Sequence, residues 1–99
     1  MYTRENPGPN IGTRVIHNYG RIRVWELALE PGESSDWHAH ENQYVFVVLE
    51  ASTLLTEYDD GTGGESPSEV GDVVYLEPTT HRVTNVGSTR YRNIIIELK

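Results

Sequence analysis

The sequence contains no cysteine and only one lysine, Lys99, among its 99 residues. Without thiols the chain cannot form disulfides or zinc–thiolate sites, and it has no cysteine nucleophile. A buried Schiff-base lysine is not expected either, because the one lysine is the last residue of the sequence. Chemistry in this protein therefore has to come from other side chains or from a bound cofactor.

Positive charge is scarce as well, with 8 basic residues against 15 acidic ones and a formal net charge of −7. This balance argues against nucleic acid and against an anionic membrane surface as partners. Residues 1–7 show no apolar leader, and no segment has the apolar length of a membrane span. We therefore expect a cytoplasmic protein that does not contact a membrane.

Helical periodicity is missing, and the chain consists instead of short β-branched and aromatic runs separated by turn residues. The alternation slips near Glu26, which predicts a bulge. Residues 59–68 are predicted as a long loop with a hairpin tip at Gly61–Gly64. This spacing of strands and turns predicts an all-β sandwich or barrel. The predicted strands, about eight in number, are 13–16, 21–29, 35–40, 44–49, 52–58, 73–76, 81–86 and 90–98.

One domain is expected from the length. Residues 1–10 contain two prolines, a glycine and two asparagines, so we expect an N-terminal arm there and a single domain over 11–99. The run YVFVVL at 44–49 predicts a strand buried on both faces. Three consecutive isoleucines in 93–98 indicate that both faces of the last strand need cover, and we therefore expect a homodimer.

The four histidines contain one informative pair, His38 and His40. Residues i and i+2 of a strand point to the same face, with Cα atoms about 6.6 Å apart. Two imidazoles at that spacing can converge on one metal ion with bonds of about 2.0–2.1 Å. His81 starts another predicted strand and could reach the same interior point from across a closed barrel. His17 is interpreted as a surface histidine.

The surroundings of these histidines resemble the two sequence motifs of the cupin superfamily. In the first motif, Gly32 is followed by five residues and then by His38-Ala39-His40. The family's glutamate position holds Tyr44, and its later glycine position holds Ala51. The second motif runs from Gly71 to His81 and ends with Asn85 and Gly87. Together the two motifs cover 31–87, more than half of the chain.

This resemblance implies a small double-stranded β-helix, or jelly-roll, barrel. A narrower similarity, to small single-domain bacterial cupins linked to β-alanine degradation, rests on the Ile-Glu-Leu-Lys tail. The resemblance also implies one divalent metal ion held by His38, His40 and His81. Imidazole ligands suit Fe, Mn, Ni, Zn and Cu, so the identity of the metal stays open.

The missing glutamate leaves several alternatives for the rest of the site. Glu41, Gln43 or Tyr44 could supply a replacement ligand, and Tyr44 is the one in register with the motif. A neutral phenol is a poor ligand, so Tyr44 is expected instead to line the pocket or to donate a hydrogen bond there. The other residues expected around the pocket are Gln43, Trp37, Phe46 and Tyr75.

Two classes of function follow. The first is a metal-dependent enzyme, dioxygenase- or isomerase-like, that acts on a small organic molecule in the barrel; three-histidine cupins include dioxygenases acting on diketones and on thiols. The alternative is a non-catalytic cupin that binds a small ligand and has a structural or vestigial metal site. No catalytic side chain beyond the three histidines is assigned, because one fold hosts many reactions.

Overall fold

The computed structural model describes residues 1–99 and consists of nine β-strands joined by turns. None of its elements is a helix long and apolar enough to cross a bilayer. The strands are β1 (Arg14–Asn18), β2 (Ile22–Leu29), β3 (His38–His40), β4 (Tyr44–Glu50), β5 (Thr53–Tyr58), β6 (Gly63–Pro67), β7 (Val73–Leu76), β8 (Thr79–Asn85) and β9 (Tyr91–Leu98).

These strands form two antiparallel sheets. One sheet has five strands in the order β1-β2-β9-β4-β7, and the other has four in the order β3-β8-β5-β6. Neighbours in both sheets are mostly distant in sequence, as expected when the two ends of a chain fold back together into a jelly roll. The prediction of an all-β jelly-roll fold is confirmed.

Two local predictions were wrong. The predicted loop 59–68 contains β6, which pairs with β5 from Thr53↔Pro67 to Glu57↔Gly63. Only the short turn before Gly63 is a hairpin tip, and β6 escaped prediction because its sequence GGESP has no apolar residue to produce alternation. The bulge expected near Glu26 lies instead in the neighbouring strand β1, where the register shifts between Val15 and His17.

The core lies between the two sheets and follows from strict alternation along the longest strands. In β2 the side chains of Trp25, Leu27 and Leu29 are buried, while their neighbours in sequence are half-buried. Tyr91 and Ile95 of β9 occupy the same layer. One face of each strand is therefore removed from water, and this burial is the main force that holds the sheets together.

The outer face of the five-stranded sheet is also apolar but only partly covered. Val45 and Val47 of β4 and Ile94 and Ile96 of β9 are half-buried, and Val73 is exposed. The prediction that the run 44–49 is buried on both faces is therefore wrong for this chain taken alone, because its outward side chains remain accessible to solvent.

The N-terminal arm runs alongside the short strand β3. The amide N–H of Gly8 donates to the carbonyl of Trp37 at 2.7 Å, and Gly8 forms a parallel bridge with His38. Ile11, just after the arm, is buried in the core. The arm thereby covers the free edge of the strand that carries the His-x-His pair.

The Asn85 side chain forms hydrogen bonds to residues of three strand-connecting segments at one end of the sandwich. Its side-chain amide donates to the carbonyls of Leu29 and Thr89, and its Oδ1 accepts from the Ser52 hydroxyl and from the Gly87 amide. A Cβ at Gly87 would lie 2.9 Å from the Thr53 amide nitrogen, so only glycine fits there. These two residues of the second motif are therefore structural.

Candidate metal centre

Adjacent strands of the four-stranded sheet bring the three histidines together. His38 and His40 both point inward from β3, and Ala39 between them points outward. His81 is the direct cross-strand partner of His38 in the pairing of β3 with β8. The expectation that His81 reaches the site from across the barrel was therefore wrong; it lies on the neighbouring strand of the same sheet.

The three imidazoles meet at their Nε2 atoms. Nε2 of His40 lies 3.0 Å from Nε2 of His38 and 3.0 Å from Nε2 of His81. Two metal–nitrogen bonds of about 2.1 Å at right angles place their nitrogens about 3.0 Å apart, whereas a tetrahedral angle requires about 3.4 Å. The two separations at His40 match the spacing of neighbouring nitrogen ligands on one ion, and the cluster could hold a metal ion.

Hydrogen bonding identifies the nitrogen of His38 that faces this point. Nδ1–H of His38 donates to the carbonyl of Asp36 at 2.8 Å, so the Nε2 lone pair is free. A backbone carbonyl in this role fixes the tautomer and the orientation of the ring, as partners of metal-binding histidines commonly do. Nδ1 of His40 and Nδ1 of His81 are buried and have no hydrogen-bond partner in the protein.

Burial keeps all three rings neutral, which is the state that binds a metal. Burial, together with the neighbouring rings of His38 and His81, lowers the pKa of His40 to about 2. Burial and the adjacent His38 lower the pKa of His81 to about 3. Burial also lowers the pKa of His38, although the carbonyl of Asp36 opposes this shift.

Tyr44 packs directly on the cluster. Its ring is stacked on that of His40, with centroids 3.8 Å apart and an angle of 15° between the planes. Tyr44 would therefore flank an ion held by the three Nε2 atoms, with its ring against that of His40 and its side chain in the cavity wall.

The histidines form part of the wall of a cavity of about 290 Å³ that lies between the two sheets and is partly open to solvent. Its wall is mainly apolar and includes inward-facing residues of both sheets. No lysine or arginine contributes to it, and Asp72 is its one acidic residue. A cavity of this size is at the lower end of the roughly 300–1,000 Å³ that small-molecule sites occupy.

The residues predicted around the pocket divide into two groups. Tyr44 and Phe46 line the cavity. Gln43 and Glu41 are exposed, and the Tyr75 side chain is 53% exposed on the outer face, so none of these three lies in the cavity wall. Alternation along β4 and β7 explains this, since positions adjacent to an inward residue point outward.

Trp37 and His17 also lie outside the cavity. Trp37 is buried, but its ring packs under the guanidinium groups of Arg4 and Arg82, at 4.9 and 5.3 Å from the ring centroid. It therefore supports the strand that carries His38 without lining the cavity. His17 is exposed and stacks on Tyr19, as expected of a surface histidine.

Comparison with known proteins identifies the family. The family described as Cupin_2, cupin domain, matches residues 25–97. This chain belongs to the cupin family. A crystal structure of a cupin domain from Bordetella pertussis Tohama I is similar to it, with 30% sequence identity and a TM-score of 0.80, covering 87% of this chain and 90% of that one. No curated protein matches the sequence significantly.

More distant structures share the cupin fold. One is an uncharacterized conserved protein with a double-stranded β-helix domain from Klebsiella pneumoniae, at 17% identity and a TM-score of 0.71, covering 99% of this chain and 88% of that one. Another is a sugar phosphate isomerase of the cupin superfamily from Silicibacter pomeroyi, at 22% identity and a TM-score of 0.59, covering 81% of this chain and 52% of that one. These similarities show the fold alone.

Three buried polar residues of this cupin were missed in the sequence. Tyr91, Asn93 and Glu97 of β9 all point into the sandwich. Glu97 accepts a hydrogen bond from the Trp25 indole at 3.0 Å and another from Asn42 at 3.0 Å. Alternation around Ile95 places all three on one face, and this signal was obscured by the apolar run of three isoleucines.

Proposed function

We propose that this cupin binds one divalent metal ion through His38, His40 and His81 and acts as a metal-dependent enzyme on a small organic molecule held in the cavity. The proposal rests on three buried Nε2 atoms that meet at the wall of a cavity of about 290 Å³. Nε2 of His40 lies 3.0 Å from Nε2 of His38 and 3.0 Å from Nε2 of His81.

Hydrogen bonding among the rings cannot replace a cation at this point. Nε2 of His38 has only a lone pair, because its proton is on Nδ1. If Nε2–H of His40 donates to that lone pair, it cannot also accept from His81. A cation bound to all three lone pairs satisfies the three nitrogens together. Such a site keeps open positions for a substrate oxygen, because three neutral ligands do not complete the coordination of a divalent ion.

The metal would supply Lewis acidity, and with iron also redox chemistry, to a substrate carbonyl, enol or thiol group. The protein's own contribution is orientation and exclusion of water. The Tyr44 hydroxyl is buried and has no partner in the protein. Burial raises the pKa of Tyr44, so the phenol stays protonated and can donate a hydrogen bond to a substrate oxygen beside the metal.

The charge of the cavity favours one substrate class. The Silicibacter pomeroyi relative is named a sugar phosphate isomerase, but the wall here has no lysine or arginine to bind a phosphate. An uncharged or enolic substrate fits the wall better than a phosphorylated one. We therefore place dioxygenase-like chemistry on a diketone or thiol ahead of isomerase-like chemistry. The similarity of the tail to β-alanine-degradation cupins adds small acids to the candidates.

The alternative function is ligand binding without catalysis. The observation in its favour is Tyr44, which stands where cupins usually have a carboxylate ligand and stacks on His40. A metal site would then stabilise the barrel or anchor a ligand. Both functions use the same three histidines and the same cavity, so only turnover separates them.

The test is oxygen uptake by the protein loaded in turn with each candidate metal, using a panel of diketones, thiols and small carboxylic acids. Turnover in the wild type that disappears in His81→Ala and persists in His17→Ala supports an enzyme. Product analysis shows whether any compound of the panel is consumed or isomerised. Metal binding and stabilisation by a ligand, without consumption or isomerisation of any compound, would establish the binding function instead.

A further inference from the structure

The cavity has a second set of polar atoms besides those of the metal centre. Asn93 is 3% exposed, and its Nδ2 donates to the Tyr91 hydroxyl oxygen at 2.8 Å. Its Oδ1 has no hydrogen-bond partner in the protein. The Tyr91 oxygen accepts this hydrogen bond, so its own proton remains available for donation. Asn93 and Tyr91, called the distal pair below, thus offer one acceptor and one donor to the cavity.

Strand register places the distal pair far from the histidines. Tyr44, which stacks on His40, begins β4, and Val48 follows four residues later on the same inward face. Val48 is the Cα partner of Asn93 on β9. Four residues of antiparallel strand span about 13 Å. The distal pair and the three-histidine cluster therefore lie toward opposite ends of the cavity.

The wall between the two ends is mainly apolar. Phe46 lies midway between Tyr44 and Val48, and its Cα partner on β9 is Ile95; both line the cavity. Leu27 and Val83 extend this band, and Thr56, the Cα partner of Val83, adds the one hydroxyl at this level. A molecule that reaches from one end to the other must present mainly carbon to the band, because most polar groups placed there would find no partner.

A buried amide oxygen without a partner is uncommon in folded proteins, since leaving such a group unpaired is costly. Tyr91 is fully buried, and burial raises its pKa to about 12, so it remains protonated at neutral pH. Both members of the distal pair line the cavity. No protein group satisfies Oδ1 of Asn93, so a molecule held in the cavity is the remaining candidate for its partner.

We propose that the substrate is a small elongated molecule with a metal-binding group at one end, a short carbon body, and a hydroxyl or primary amide at the other end. The distal hydroxyl or N–H donates to Oδ1 of Asn93, and the distal oxygen accepts from Tyr91. The metal-binding end rests on the proposed function, whereas the distal end rests on Asn93 and Tyr91 alone.

The test uses matched probes on the metal-loaded protein. Two series of unbranched hydroxamic acids of increasing chain length are compared, one ending in a hydroxyl and the other in a methyl group of similar size. Isothermal titration calorimetry gives each Kd. At the matching chain length the hydroxyl-ended probe should bind at least tenfold more tightly, although the methyl-ended probe is the more hydrophobic of the two.

A variant of Asn93 tests whether the preference for the hydroxyl-ended probe arises at this residue. Asn93→Leu removes the amide at similar volume and should reverse the preference in favour of the methyl-ended probe, with metal content unchanged. Asn18→Leu, at an exposed position of β1, is the matched control and should keep the wild-type preference. If Asn93→Leu does not fold, the comparison of the two series on the wild type still decides.

Three results would overturn the proposal, and they differ in what else they contradict. Hydroxamates that bind the metal-loaded protein with no preference for a hydroxyl end at any chain length refute the distal site and leave the metal centre standing. Hydroxamates that do not bind the metal-loaded protein at all refute both ends of the substrate assignment, although the metal itself is still bound. Absence of metal uptake by the wild type refutes the proposed function, and with it the metal-binding end on which the substrate assignment rests.

Discussion

At the scale of single residues, Tyr44 occupies the position where the cupin motif usually has a glutamate ligand. Tyr44→Phe deletes the hydroxyl but keeps the ring stacked on His40, so metal affinity should stay unchanged. Tyr44→Glu should tighten metal binding, because a carboxylate is a good ligand for hard divalent ions and lowers the net charge of the site by one unit. Competition with a chelator measures both affinities.

The same two variants should separate metal binding from turnover. Any activity that needs the open three-histidine site should fall in Tyr44→Glu, because the new carboxylate fills a position that substrate would use. A tenfold loss of metal affinity in Tyr44→Phe, about 1.4 kcal/mol, would contradict the expectation that Tyr44 lines the pocket without binding the metal. It would show that the phenolic oxygen coordinates the ion, and the site would then be a mixed histidine–tyrosine centre.

The sequence predicted the three-histidine cluster but not the distal pair. His38 and His40 were identifiable because a spacing of two on a strand has one geometric meaning. Tyr91 and Asn93 carry no such spacing signal. Their importance depends on unpaired atoms facing a cavity, and cavities arise from the packing of two sheets and not from any single segment.

At the scale of strands, a cross-strand ion network joins β1, β2 and β9. The Glu26 carboxylate accepts from Arg14 Nε at 3.0 Å and from Arg92 Nε at 2.7 Å. The hydrogen bond from Arg92, and then that from Arg14, lowers the pKa of Glu26 below the ordinary 4.5. A carboxylate with a depressed pKa stabilises the fold above its unfolded-state pKa, and this contribution is lost as the pH falls through its folded-state pKa.

Glu26→Gln should therefore reduce the free energy of unfolding by about 1 kcal/mol at pH 7. The difference from wild type should shrink below about pH 4.5 and vanish once Glu26 is protonated in both states. Urea unfolding at pH 7 and in the acid range measures it. Glu41→Gln, at an exposed carboxylate outside the ion pairs, is the control and should show no such dependence. An equal loss for Glu26→Gln at both pH values would contradict the account.

Strand prediction succeeded where one face is apolar and failed where neither is. Strands β2, β4, β7 and β9 were predicted to within one or two residues, since burial on one side imposes alternation. Strand β6 is exposed along its whole length, and only backbone hydrogen bonds to β5 define it. Those bonds leave no trace in side-chain pattern, so the segment was interpreted as a loop.

At the scale of the whole molecule, we expect the homodimer interface on the outer face of the five-stranded sheet. Val45, Val47, Ile94, Ile96 and Val73 lie on this face and remain partly or fully accessible. Exposed apolar patches of this kind mark interaction sites, and symmetric dimers are the commonest assemblies. We expect a second copy of the chain to cover this face.

Light scattering should give about twice the chain mass of 11.2 kDa at micromolar concentration. Val47→Glu places a charge between Val73 and Ile94 on the outer face and should produce monomers. Leu55→Glu makes the same kind of change on the four-stranded sheet and should leave the dimer intact. A wild-type mass of 11.2 kDa would refute the dimer, and dissociation by both variants would place its interface elsewhere.

The central claim is that three histidines on adjacent strands hold one metal ion, and the metal content of protein purified without added metal tests it most directly. Elemental analysis should find about one divalent ion per chain in the wild type and in His17→Ala. Occupancy should fall sharply in His38→Ala, His40→Ala and His81→Ala, because each removes one of the converging Nε2 atoms. Equal metal content in the wild type and in a variant lacking all three histidines would contradict the claim.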